Sequence, residues 1–234
     1  MKIYQGIRND CWEANRALPA TELVDLTFGN VSILDPVKGI FAIKPSGVPY
    51  DELQPADIVL VDLDGKIVDG KLKPSSDTPT HRCLYRKLTG VHAIVHTHSR
   101  FATSFAQAGR EIPNLGTTHA DHFDGPVPIT RELTPAEIGG DYERETGQVI
   151  VERFKGLNHL HMPAVLVRNH APFVWGHNGP AALETALALE ICAQMAWQTL
   201  LLNPAAAPIP RALHEKHFQR KHGVTAYYGQ GGKK

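Results

Sequence analysis

Val91-His92-Ala93-Ile94-Val95-His96-Thr97-His98-Ser99 carries the decisive pattern of the chain. Val91, Ala93 and Val95 alternate as on a strand, and the run ends in His96-Thr97-His98. Side chains two apart on a strand leave the same face, about 6 to 7 Å apart along the backbone, so two imidazoles can converge on one ion. A catalytic zinc takes three protein ligands and keeps a position open. His170, just past the apolar run Ala164 to Arg168, is the third candidate; for the H-x-H alone, two polar residues near a strand end are the plain alternative. A closed structural site would need a fourth ligand, typically cysteine. Cys11, Cys83 and Cys192 lie far apart outside any C-x-x-C spacing and read as small core residues in a reduced cytoplasm. A second H-x-H, His159-Leu160-His161, sits beside Gly156 and Asn158 without strand alternation and reads as surface.

Working outward, Ile3, Ile7, Cys11, Ala14 and Leu18 recur at helical steps and predict an amphipathic helix over 2–18, ended by Pro19. Short apolar runs at 27–34, 40–43, 58–62 and 66–69, with Asp64-Gly65 between the last two, predict antiparallel strands and hairpins. Helices are expected after Pro79 to Lys87, over 99–108, over 134–154 behind Thr134-Pro135, over 180–202 after Asn178, and over 211–221. Clustered strands with helices before, between and after them predict a mostly antiparallel central sheet covered by helices. One short echo, Lys44-Pro45-Ser46 against Lys73-Pro74-Ser75, is too brief for a repeat.

Composition narrows the function. With 234 residues the chain fits one domain, and Lys plus Arg equal Asp plus Glu at 24 each, so a large nucleic-acid footprint is not expected. No run reaches 18 uncharged apolar residues and the N-terminus lacks a leader pattern, so neither secretion nor membrane insertion is expected.

Ser75-Ser76-Asp77-Thr78-Pro79 stands where a helix begins, and free backbone N–H groups with serine hydroxyls there make an anion site. Lys44-Pro45-Ser46-Gly47 offers another, with Gly47 permitting close approach. An ordinary helix cap and an ordinary turn are the plain alternatives. Asp77 is open between a cap, an acid–base group and a support for the metal. Asp121, within Gly116-Thr117-Thr118-His119-Ala120-Asp121, reads locally as a loop carboxylate.

Together with Thr27-Phe28-Gly29-Asn30-Val31-Ser32, Ile43 to Gly47, Lys73 to His81, Val95 to Ser99, and Lys221-His222-Gly223 through Tyr227-Tyr228-Gly229-Gln230, these segments resemble the L-ribulose-5-phosphate 4-epimerases of the class II aldolase and adducin superfamily. The matches run in order along nearly the whole chain. The resemblance implies a single domain over 1–234 with a three-layer α/β/α fold, zinc on His96, His98 and His170 with Asp77 close by, and a cytoplasmic homotetramer with active sites at subunit interfaces. It implies one zinc per subunit, with manganese or cobalt as substitutes, and a small sugar phosphate as substrate. Phosphate and substrate positions would be Asn30, Lys44, Ser46, Gly47, Ser75 and Ser76. Asp121 and Tyr228 would be an acid–base pair contributed by the neighbouring subunit, with a tail over about 223–234 reaching across the boundary and Thr117, His217 and Arg220 near the pair. The extension Gly231-Gly232-Lys233-Lys234 and the loop Lys155 to Met162 depart from the pattern. The rivals are an aldolase of the same superfamily and a non-catalytic adducin-like module. Such aldolases usually carry Glu where Asp77 stands and lack the Tyr228 tail.

Overall fold

A computed structural model describes residues 2–224 and 226–227. Seven strands form one sheet: β1 Asn30–Asp35, β2 Ile40–Ile43, β3 Val59–Asp62, β4 Ile67–Asp69, β5 Ala93–His96, β6 Ala164–Leu166 and β7 Pro172–Gly176. Their order is β4-β3-β2-β1-β5-β7-β6, every neighbouring pair antiparallel. The helices are α1 Gln5–Ala17, α2 Thr78–Lys87, α3 Arg100–Gln107, α4 Thr117–Ala120, α5 Pro135–Gly139, α6 Tyr142–Arg153, α7 Gly179–Leu202 and α8 Arg211–His222.

The sheet alternation assigns the layers. Val31 on β1 faces α1, where the Asn15 amide accepts from Val31 N at 2.8 Å and donates to Val31 O at 2.9 Å. Ser32, one residue on, faces α2 through His81 and Tyr85. Trp175 on β7 meets Phe154, just past α6, with ring centroids 5.1 Å apart. Thus α1, α3 and α7 cover one face and α2 and α6 the other, the expected three-layer α/β/α arrangement. By length and composition α7 could cross a membrane. It instead packs on β5 and β7, and its Glu190 carboxylate accepts from the Phe101 and Ala102 amides at the start of α3.

Several boundaries differ from expectation. The first strand starts at Asn30, not Thr27, because Gly29 turns the chain at φ +77°, where a Cβ would stand 2.7 Å from His96 O. Strand β5 ends at His96, so His98 lies beyond it. The expected helix over 134–154 is two helices, interrupted at Gly140-Asp141. Strand β7, whose continuous Phe173-Val174-Trp175 run is buried, had no counterpart in the sequence reading.

Candidate active site

The sheet register builds the metal candidate. His96 on β5 pairs with Asn30 on β1 and with Phe173 on β7, setting the three in one row. His170 arrives from the turn between β6 and β7, where Asn169 takes φ +61°, a conformation asparagine tolerates. His98 follows the strand end. One ring nitrogen from each of His96, His98 and His170 lies within 4.8 Å of the others. His96 Nε2 and His170 Nε2 are 3.2 Å apart. Two nitrogens bound tetrahedrally at about 2.0–2.1 Å would be separated by about 3.3 Å, so the His96–His170 pair fits an ion of zinc's size.

The supporting contacts suit ligation. His96 Nδ1 donates to Pro172 O at 2.9 Å, which leaves Nε2 as the lone pair. His96 also stacks on Phe173 at 4.1 Å. Burial, reinforced by His96 and His98, pushes His170 down to about 4, and burial followed by His96 lowers His98. At neutral pH both rings are therefore uncharged, the form that binds metal.

A cleft of about 330 Å³ opens over these rings and is also lined by Asn30, Lys44, Ser46, Gly47, Ser75, Ser76 and Asp77. Every expected phosphate and substrate residue thus shares a wall with the cage. The two Lys-Pro-Ser segments pair with each other through a Pro45–Pro74 bridge, with Ser46 N donating to Lys73 O and Ser75 N to Lys44 O, each at 3.0 Å. Those two amides are engaged, and the Ser75 hydroxyl is shared with Asn30 and Asp77, which leaves the Ser46 and Ser76 hydroxyls and the Gly47 and Ser76 amides for an anion. Lys44 is buried over the Tyr50 ring, 4.7 Å from its centroid, and burial lowers it to about 8.

Asp77 stands at the start of α2 but makes no side-chain cap bond, so the cap alternative fails. Its Oδ2 accepts from Asn30 Nδ2 at 2.7 Å and from Ser75 Oγ at 3.4 Å. Burial raises the carboxyl, but His96, His81 and the Asn30 bond together outweigh it and hold it below the ordinary range.

Asp121 belongs to a second cluster and does not line the cleft. It follows α4, so it is not a simple loop carboxylate, and its amide bonds to Thr117 O at 3.0 Å. From α8, Arg220 grips it with two bonds of 2.6 and 3.0 Å, and His217 Nδ1 donates at 3.1 Å. Burial raises its carboxyl, and Arg220 followed by His217 lowers it further than that. Tyr228 and the last four residues lie outside the described residues. Buried His81 on α2 carried no expectation; its position one helical turn after Asp77 was the available signal.

The model of the Class II Aldolase and Adducin N-terminal domain matches residues 9–197. The L-ribulose-5-phosphate 4-epimerase UlaF of Salmonella paratyphi B is 48% identical over 226 residues, covering 97% of this chain and 99% of its own. Among solved structures, an L-fuculose 1-phosphate aldolase superposes with a TM-score of 0.77 at 24% identity, covering 92% of this chain and 95% of its own. An L-fuculose-1-phosphate aldolase from Thermus thermophilus does so with a TM-score of 0.65 at 25% identity, covering 87% and 98%. The antiparallel sheet, the histidine cage and a match over most of the sequence agree: the chain belongs to the class II aldolase and adducin family.

Proposed function

We propose that the chain is an L-ribulose-5-phosphate 4-epimerase, interconverting L-ribulose 5-phosphate and D-xylulose 5-phosphate by retro-aldol cleavage and re-addition between C3 and C4. The observation that carries this is one cleft in which three converging imidazoles face two paired Lys-Pro-Ser loops. The name borne by relatives 48% identical over 97% of the chain supports the choice of substrate.

The carbon to be inverted lies two bonds from the C2 carbonyl, so its hydrogen is not acidic. Breaking C3–C4 gives an enediolate and an aldehyde phosphate, and re-addition after the aldehyde turns over gives the other configuration. A divalent ion on His96, His98 and His170, zinc in this reading with manganese or cobalt as substitutes, supplies positive charge as the ketose oxygens become negative. Lys44, Ser46, Gly47, Ser75 and Ser76 hold the phosphate, and Asn30 orients the substrate. Asp77, kept ionised, adjusts the field beside the cage. Asp121 and Tyr228 divide proton transfer at the C4 oxygen, one for each face, contributing about 10² to 10⁴ fold.

Because Asp121 does not line its own chain's cleft, the reading includes a homotetramer in which Asp121, Thr117, His217, Arg220 and the tail over about 223–234 complete a neighbour's site. The single domain spans 1–234 and works in the cytoplasm, with no nucleic-acid or membrane partner. A second reading, a sugar-phosphate aldolase that releases the aldehyde, is favoured by the Thermus thermophilus neighbour. Incubating metal-loaded protein with L-ribulose 5-phosphate and following it by NMR decides between them. Accumulation of D-xylulose 5-phosphate is expected; free aldehyde in its place would select the aldolase.

A further inference from the structure

A buried polar chain links β1 to α2. Ser32 Oγ lies 2.7 Å from both Tyr85 OH and His81 Nδ1, and all three residues are buried. Hydrogen bonds can run along it in two directions. If His81 Nδ1 carried the proton, it would donate to Ser32 and Ser32 to Tyr85, and the Tyr85 proton would have no acceptor among the described residues. An unsatisfied buried donor is costly. In the other direction Tyr85 donates to Ser32 and Ser32 donates to Nδ1. That direction leaves the proton of the neutral ring on Nε2.

His81 Nε2 is buried and has no partner among the described residues. Burial pushes the ring down to about 3, so it is neutral at working pH. Asp77 lies one helical turn before it: the Asp77 backbone is already helical, at φ −72° and ψ −2°, and His81 N bonds to Asp77 O at 3.0 Å. Residues four apart share one face of a helix. Asp77 spends only Oδ2, on Asn30 and Ser75, and Oδ1 has no bond among the described residues. Asn30 in turn lines the cleft, and its own Oδ1 is buried without a partner among the described residues. A donor without an acceptor therefore stands one turn from a carboxylate oxygen without a donor.

We propose that His81 is a positioning residue for Asp77, its Nε2–H being a second donor that the carboxylate takes up when a bound ketose phosphate draws the Asn30 amide to itself. Asp77 then stays ionised and in place beside the cage while Asn30 serves the substrate. This rests on the epimerase reading for its effect on turnover, though not for the tautomer or its link to Asp77.

Asparagine keeps an amide near the Nδ1 position and removes the Nε2 group, whereas glutamine places an amide nitrogen near Nε2. In metal-loaded protein, His81→Asn should lower kcat about 10 to 100 fold, the range for groups that support metal-site residues, with KM little changed. His81→Gln should recover most of that loss. Equal losses in both variants that follow their melting temperatures, or wild-type turnover in His81→Asn, would overturn the assignment. Long-range 15N–1H imidazole spectra of the loaded protein provide a readout independent of turnover. The signal missing from His81→Asn should report an Nε2–H ring and should move in Asp77→Asn. An Nδ1–H ring, or a signal indifferent to Asp77→Asn, would sink the proposal even in an active enzyme. If L-ribulose 5-phosphate is left unchanged by wild-type protein, the epimerase reading fails while the spectra still judge His81.

Discussion

The cleft and the Asp121 cluster are both polar constellations, yet they are held in opposite ways. His96 stands on a strand hydrogen-bonded on both sides, and its ring is fixed by Pro172 and Phe173. Asp121 follows a four-residue helix and is held by side chains of α8, the last described helix of the chain. One site derives its geometry from a sheet, the other from ion pairs between surface helices. The cage should therefore tolerate damage at α8, while α8 depends on a few charges.

The largest effect expected from breaking this contrast is at the cage. His98→Asn should lose the bound ion, measured by metal analysis, and reduce turnover by more than the about 10²-fold typical of supporting residues. Full metal occupancy in this variant would remove His98 from the ligand set. Tyr228→Phe should instead retain one ion per subunit while slowing turnover by about 10² fold. Metal lost along with rate would tie the tail to the cage and erase the distinction.

Mixing is a sharper test. His98→Asn and Asp121→Asn chains, each poorly active alone, should regain activity when unfolded together and refolded, since some hybrid tetramers then hold an intact site. No recovery, with hybrids demonstrated by mass spectrometry, would place both residues in one subunit's site.

The smallest effect concerns acid. Asp121 is held below its ordinary range when folded, so its contribution to stability is present above the unfolded value of about 3.9 and is lost as pH falls through the lower folded value. The melting-temperature gap between wild type and Arg220→Gln should therefore be open at pH 7 and close below about pH 4. A gap indifferent to pH would mean that Arg220 acts by packing alone.

The cage was legible because alternation is a local signal: Val91 to His98 declares its strand within eight residues. What escaped was set by distant contacts. Nothing near Asp121 announces Arg220, 99 residues away, and only the family resemblance set the two side by side. Strand β7 went unread because a strand buried on both faces has no alternation to detect. The start of β1 was misplaced by three residues because the chain bends where Gly29 passes His96 O, an approach visible only once the sheet exists. The two Lys-Pro-Ser segments were noticed as an echo, but their pairing required the hairpins between them to close.

The sheet order also sets a timetable for the living cell. His96 and His98 leave the ribosome well before His170, whose turn is positioned only when β7 inserts between β5 and β6. A nascent chain can offer no more than two of the three cage imidazoles until residue 170 of 234 has been made. An ion held as proposed would therefore be taken up late in biogenesis, and a truncated translation product ending before residue 170 would lack one of the three cage imidazoles.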